Sequence, residues 1–247
     1  MKKMFSTGLT AGLAGGLAAI VTAGHALAAS LPVDLNGVEF APVRFQLLQH
    51  GENVGEMFYS MERRDGEIVI HDGTTMLPDI RESGTLVIDA DTLLPKRVVI
   101  DGDFSRTVLD IDLAFDGRKG AGVYRIKRPS ETEKTDRPFE IDLPEGAVAR
   151  ASIFGLMAGL PVREGASFAF QWFNELGGAL ADAELVVEGR KTIEVPAGVF
   201  ETYEIKLNAQ PANVVYLTVE APHKLVRIDV PGQDMKFERL PAENKAE

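Results

Sequence analysis

The sequence contains no cysteine, which excludes disulfide bonds, thiol chemistry and lipid attachment to an N-terminal cysteine. After residue 28 it also lacks any run of the roughly 18 uninterrupted apolar residues that a membrane-spanning helix needs. Basic residues are few relative to acidic ones, 26 against 37, and the formal net charge is −11. Because an acidic protein repels polyanions, this balance argues against nucleic acid as a partner.

The first 28 residues have the pattern of a secretory signal. Lys2 and Lys3 provide a positive start, residues 8–21 form an Ala/Gly/Leu-rich apolar run, and Ala26 and Ala28 form a small–x–small cleavage pattern. We therefore predict cleavage after Ala28 and export to the bacterial periplasm. Since the two lysines are the only charged residues removed, cleavage would change the net charge from −11 to −13.

Most of the remaining chain alternates between apolar and polar residues, which is typical of antiparallel strands with one wet face. In residues 106–115, for example, Leu109, Ile111 and Leu113 face one side and Asp110 and Asp112 the other. Turn sequences separate many such segments. The predicted fold is mainly β: a curved antiparallel sheet or half-barrel meander, as one unit or as two related lobes, with one short covering α-helix.

The predicted helix starts at Pro144 and Glu145, residue types that suit a first helical turn. Its apolar stripe consists of Ala149, Ile153, Leu156, Met157 and Leu160. Gly159 and Pro161 should end it. A helix this short is not stable alone, so we expect it to dock on the sheet.

Composition divides the chain into segments. Residues 29–127 form a predicted N-terminal β lobe, and residues 139–240 a C-terminal β lobe with the helix. The polar residues 128–138, which lack a large apolar side chain, are the predicted loop or hinge between them. Residues 74–83 are predicted to be irregular, and residues 241–247 to be a loose tail.

Several short motifs resemble an uncharacterised bacterial envelope family, known as domain of unknown function 3108. They occupy residues 91–95, 160–165, 187–190, 195–200 and 222–228. The resemblance implies an exported β-rich protein without assigned chemistry, and it supplies no catalytic residues. At the level of architecture, the pattern is also similar to periplasmic lipoprotein carriers, which wrap a curved sheet around helices and hold acyl chains.

No catalytic or metal-binding pattern stands out. The serines include no Gly-x-Ser-x-Gly elbow, and the glycines form no phosphate-binding loop. His50, His71 and His223 lie beside predicted turns and lack a second ligand at zinc spacing. Three Asp-x-Asp pairs, at residues 89/91, 101/103 and 110/112, do not match a calcium loop and are interpreted as a solvated rim. We therefore predict no enzyme activity, no metal and no cofactor.

Large apolar side chains concentrate around the aromatic segment 167–173 and the helix. They would form either a filled core or the wall of an apolar cavity between sheet and helix. In the second case the predicted ligand-binding residues are Phe154, Met157, Phe168, Phe170, Trp172 and Tyr203. The corresponding function is a non-catalytic binding or chaperone-like module for an apolar or amphipathic envelope component, with a lipid or lipoprotein-like ligand. The alternative is an envelope scaffold or protein-interaction module with a filled core.

Overall fold

The structure, a computed structural model, describes residues 30–242, so the predicted signal segment and residues 243–247 of the predicted tail lie outside the described residues. Within this range the chain forms fifteen strands and one α-helix. The strands are β1 Val43–Gln49, β2 Glu52–Arg64, β3 Glu67–Met76, β4 Ile80–Asp89, β5 Pro95–Phe104, β6 Thr107–Asp116, β7 Lys119–Lys127, β8 Thr135–Asp142, β9 Ala147–Ala149, β10 Ser167–Asn174, β11 Ala179–Val195, β12 Gly198–Asn208, β13 Asn213–Thr218, β14 Leu225–Val230 and β15 Met235–Arg239. The helix, α1, spans Arg150–Leu156 and continues as a 3₁₀ turn, Met157–Gly159.

All fifteen strands belong to one sheet, so the predicted mainly-β fold with a curved sheet and one short helix is confirmed. Strands β1 to β8 form one meander and β10 to β15 a second, and pairing of β1 with β15 joins them. Every pairing is antiparallel except that of β9 with β10. The two halves of the chain are therefore continuous in a single sheet.

The two edges of the sheet, β8 and β9, are consecutive in the chain. Fifteen strands laid flat would span roughly 67 Å at about 4.8 Å per strand, but the link from Asp142 to Ala147 reaches at most about 18 Å. The sheet must therefore curl until its edges approach each other. Side chains hold the two ends together: the Tyr124 hydroxyl donates to the Glu175 carbonyl oxygen at 2.7 Å, and the Phe115 and Phe173 rings lie 5.9 Å apart.

Helix α1 lies inside this curl. Ala151, Ser152, Ile153 and Leu156 are buried, as is the 3₁₀ turn that follows. The helix is packed so closely on β2 that a Cβ atom at Gly155 would overlap the Met61 sulfur. The short helix therefore obtains its stability from burial within the sheet.

The predicted helix start at Pro144 is wrong, because residues 147–149 pair as β9 with residues 171–173 of β10 before the helix begins at Arg150. Residues 74–83, predicted to be irregular, mostly belong to β3 and β4, which pair from end to end. The predicted loop 128–138 is irregular only as far as residue 134, since β8 begins at Thr135. The first half of β8, residues 135–138, is exposed, as suits an edge strand, whereas Phe139 and Ile141 pack partly buried against the core.

Between residues 30 and 242, no helix has the length and apolar character required to cross a membrane.

Candidate functional site

The inner face of the sheet lines a partly open cavity of about 260 Å³. Both meanders contribute to its wall, as do helix α1 and the loop before β13. Most of the wall is apolar, including Leu47, Met57, Ile80, Phe104, Ile228 and Phe237. For comparison, an apolar cavity of about 150 Å³ is large enough to bind benzene. The interior thus has room for a small molecule.

The six predicted ligand-binding residues are divided between cavity and core. Phe154 of α1 and Trp172 of β10 line the cavity. Met157 and Phe170 are fully buried in the surrounding core, and Phe168 packs partly buried against it. Tyr203 is buried on β12, where the Arg190 guanidinium lies 5.4 Å from its ring centroid. The latter four are not among the residues that line the cavity.

A buried charged cluster forms one part of the cavity wall. Its centre is Arg150, the first residue of α1, which lies 3.0 Å from Glu82, 3.5 Å from Glu175 and 3.8 Å from Asp72, measured between nitrogen and carboxylate oxygen. Asp72 and Glu82 come from the paired strands β3 and β4, and Glu175 from the turn after β10. We call these four side chains the Arg150 cluster.

Local sequence makes room for the cluster. Gly84 pairs directly with Asp72 across β3 and β4, and a Cβ atom there would lie 2.5 Å from the Asp72 Oδ1 atom.

The helix start also depends on the cluster, since Ala149 has no side chain that can cap the first turn. Instead, the Glu175 carboxylate accepts hydrogen bonds from the backbone N–H groups of Arg150 and Ala151, at 3.1 and 3.2 Å.

The Arg150 cluster holds three carboxylates and only one guanidinium. Burial, together with the nearby Asp72 charge, raises the pKa of Glu175 from 4.5 to about 7, although Arg150 and the backbone N–H of Ala151 act against the rise. The pKa of Glu82 is raised for the same two reasons, again against the effect of Arg150. Burial lowers the pKa of Arg150, but the three carboxylates outweigh burial and raise it overall. The cluster therefore keeps a charged arginine, and its Glu175 carboxyl holds a proton to higher pH than a free glutamate does.

Tyr59 completes this part of the wall. It is buried on β2, and its hydroxyl donates to the Ala151 carbonyl oxygen at 3.0 Å. Burial and the Asp72 charge raise the pKa of Tyr59, so the hydroxyl stays protonated and acts as a donor. Chemically, the cavity offers a mostly apolar surface with carboxylate oxygens on one side.

The sequence interpretation did not identify the charged cluster. Asp72 follows His71, which lies beside a predicted turn, and Glu82 falls in the segment predicted to be irregular, so the sequence does not place either residue inside the sheet. One signal was present: Arg150 is the only charged residue between Glu145 and Arg163. A lone charge within an apolar stretch indicates a buried partner, because buried charges are nearly always paired.

The three histidines between residues 30 and 242 lie away from the cavity wall. His50 contacts Asp234 at 2.8 Å, His71 contacts Thr85 at 3.0 Å, and His223 contacts the Thr218 carbonyl oxygen at 2.7 Å. Among the residues that the structure describes, no group of three or more His, Asp or Glu side chains is arranged to hold a metal ion.

Comparisons with known proteins place the chain in a family. No curated protein matches the sequence. Two solved structures are similar to this chain. The first is a β-barrel-like protein of domain of unknown function DUF1849 from Brucella abortus, which is 13% identical with a TM-score of 0.45, and the match covers 83% of this chain and 97% of that one. The second is a protein with a YmcC-like fold from Bacteroides fragilis NCTC 9343, which is 9% identical with a TM-score of 0.26, and the match covers 88% of this chain and 100% of that one. The family model described as "Protein of unknown function (DUF3108)" matches residues 38–236 of the 247. Because this match extends over much more than half of the chain, the protein belongs to the DUF3108 family.

Proposed function

We propose that this protein is an exported, non-catalytic binding or chaperone-like module of the bacterial envelope, which holds an apolar or amphipathic component in its inner cavity. The observation that carries the proposal is the cavity of about 260 Å³ between the two meanders and α1, with a mostly apolar wall. Pockets of this kind bind small molecules mainly through burial of apolar surface, and a few polar groups fix the orientation.

The cavity volume limits the size of the ligand. A single ring system or one short acyl chain is of the right size, by comparison with benzene in a cavity of about 150 Å³. The surplus of carboxylates in the Arg150 cluster disfavours an anionic head group inside the cavity. A neutral or cationic amphipathic molecule, or one chain of a larger lipid, fits both constraints.

A pair of neighbouring threonines on β3 tests the proposal. Thr74 lines the cavity, whereas Thr75 borders a groove on the opposite face of the strand, and both are half-buried. Thr74→Phe should fill the cavity, and Thr75→Phe adds the same bulk outside it. We expect native mass spectrometry of the purified protein to detect a co-purifying small molecule, or binding of a short-chain fluorescent acyl probe, for the wild type and Thr75→Phe but not for Thr74→Phe.

Equal binding by both folded variants, or no binding by the wild type, would contradict the proposal. In that case the edge strand β8 would favour the alternative, an envelope scaffold or protein-interaction module, because its residues 135–142 are largely exposed and one side of its backbone has no neighbouring strand in the sheet.

Export has a separate test. The signal pattern of residues 1–28 predicts that the mature protein begins at Ala29. Expression of the full sequence in a bacterium, followed by cell fractionation and N-terminal sequencing, should recover a periplasmic form with that first residue. A form that starts at Met1 and remains in the cytoplasm would overturn the assignment of compartment.

A further inference from the structure

The cavity wall contains a buried hydrogen-bond donor without a partner. Trp172 of β10 lines the cavity and is only 2% exposed, and its indole Nε1 has no hydrogen-bond partner among residues 30–242. A buried N–H group left unpaired costs about 1–3 kcal/mol, so nearly all such groups in proteins are satisfied. An unpaired donor in the wall of a cavity with room for a guest calls for an acceptor on that guest.

We infer that the molecule held in the cavity carries an uncharged oxygen acceptor, such as a carbonyl, ester or ether oxygen, which accepts the Trp172 N–H. This inference rests on the proposed function and names the chemical class of the ligand. A plain hydrocarbon would leave the indole N–H unpaired. A carboxylate would pair with it but would lie beside Asp72 and Glu82 of the same wall, which outnumber the single guanidinium of Arg150 there.

The chain offers a direct spectroscopic readout, because Trp172 is its only tryptophan. A ¹H–¹⁵N correlation spectrum therefore contains a single indole Nε1–H signal, and that signal comes from a residue of the cavity wall. Acetophenone and ethylbenzene are suitable probes, since they have nearly the same size and shape but only acetophenone has an oxygen acceptor. Both are small enough for the cavity, by comparison with benzene.

We expect both probes to bind the full-length protein, and only acetophenone to move the indole proton downfield, as formation of a hydrogen bond does. The downfield shift should disappear in Thr74→Phe, which fills the cavity, and persist in Thr75→Phe. These two variants also separate the main cavity from a second depression that the same ring borders beside Ala181 and Asn208.

Trp172→Phe provides an affinity test, because it keeps an aromatic ring and removes the donor, while ethylbenzene measures the effect of the smaller ring. Affinity for acetophenone, measured by calorimetry, should fall about five-fold, the equivalent of one hydrogen bond worth roughly 1 kcal/mol. Affinity for ethylbenzene should change less than two-fold. If Trp172→Phe does not fold, the indole shift in the wild type decides the question alone.

The outcomes separate the inference from the proposed function. If neither probe binds, the cavity does not accept guests and the proposed function fails. If both probes bind but acetophenone leaves the indole proton in place, or its shift persists in Thr74→Phe, the inference is overturned while the binding function stands. Equal loss of both probes in folded Trp172→Phe would likewise overturn it, since the ring and not the donor would then matter.

Discussion

Two arginines with almost the same exposure occupy opposite faces of the sheet. The side chain of Arg150, inside the curl, is 18% exposed, and that of Arg227, on the outer face of β14, is 17% exposed. Arg227 binds Asp229, two residues away on its own strand, with both nitrogen–oxygen distances at 2.8 Å, and lies 4.5 Å from the Tyr216 ring centroid. Its partners are local, and its charge is balanced by one carboxylate.

Arg150 has a different environment. Its three carboxylates come from β3, β4 and the turn after β10, and the cluster has more negative than positive charge. An ion pair along one strand forms wherever the strand forms, whereas the Arg150 cluster exists only when both meanders and the helix are assembled. Equal burial therefore does not imply an equal role. Arg227 pairs within one strand, whereas Arg150 forms ion pairs with residues from both halves of the sheet.

The largest expected effect on stability follows loss of the Arg150 ion pairs. Arg150→Met should lower the free energy of unfolding by about 3–5 kcal/mol, because three buried carboxylates would lose their only cation. Arg227→Met is the matched control and should cost less, about 1–2 kcal/mol, since only one carboxylate, that of Asp229, loses its cation. Urea unfolding of both variants at pH 7 measures the difference. Similar losses would show that the Arg150 cluster does not hold the halves together.

The second prediction concerns pH. The pKa of Glu175 is about 7 in the folded protein and 4.5 for the free side chain, so the folded state binds more protons between these values. The resulting stabilisation is complete below about pH 4.5 and is lost as the pH rises through 7. We expect the free energy of unfolding to fall by about 2–3 kcal/mol between pH 5 and pH 8.

Glu175→Gln should remove most of this fall, because the amide does not ionise. Its one oxygen replaces only one of the two carboxylate oxygens that accept from the helix N–H groups, so the variant should also be less stable at pH 5. Some slope should remain, since the pKa of Glu82 is raised as well. Glu131→Gln is the control: the backbone N–H of Arg128 lowers the pKa of Glu131, so its titration lies below this range and its variant should keep the full slope. Denaturant unfolding at several pH values distinguishes the three proteins.

The same contrast explains what could be predicted from the sequence. Strands such as β6 and the inward residues of β2 follow from alternation, which depends only on neighbouring residues. The helix start could not be predicted in this way, because Pro144 and Glu145 favour a helix locally while β9 forms through pairing with a strand some twenty residues later. Tertiary pairing outweighed local preference there.

The apolar residues of the cavity could be predicted from the sequence, whereas its charged residues could not. An interior position for Phe154 and Trp172 could be predicted, because large apolar residues are usually buried, and both line the cavity. Asp72, Glu82 and Glu175 could not, because a carboxylate in a sequence indicates solvent unless its partner is known. Their partner, Arg150, is 68 or more residues from the two strand carboxylates, and only the curl of the sheet brings them together.

The smallest effect that separates the two faces involves their tyrosines. Tyr59→Phe removes the hydroxyl that donates to the Ala151 carbonyl in the first turn of α1, and leaves a buried acceptor without this donor. We expect a loss of about 1–2 kcal/mol. Tyr216→Phe removes a 3.4 Å contact with Glu204 and an interaction with Arg227 on the outer face. Both residues keep a charged partner, Lys191 and Asp229 respectively, so the loss should be at most about 0.5 kcal/mol. Thermal unfolding measures the stability of both variants. If Tyr216→Phe loses as much stability as Tyr59→Phe, the tyrosine hydroxyl on the outer face contributes as much to stability as the one that contacts the helix.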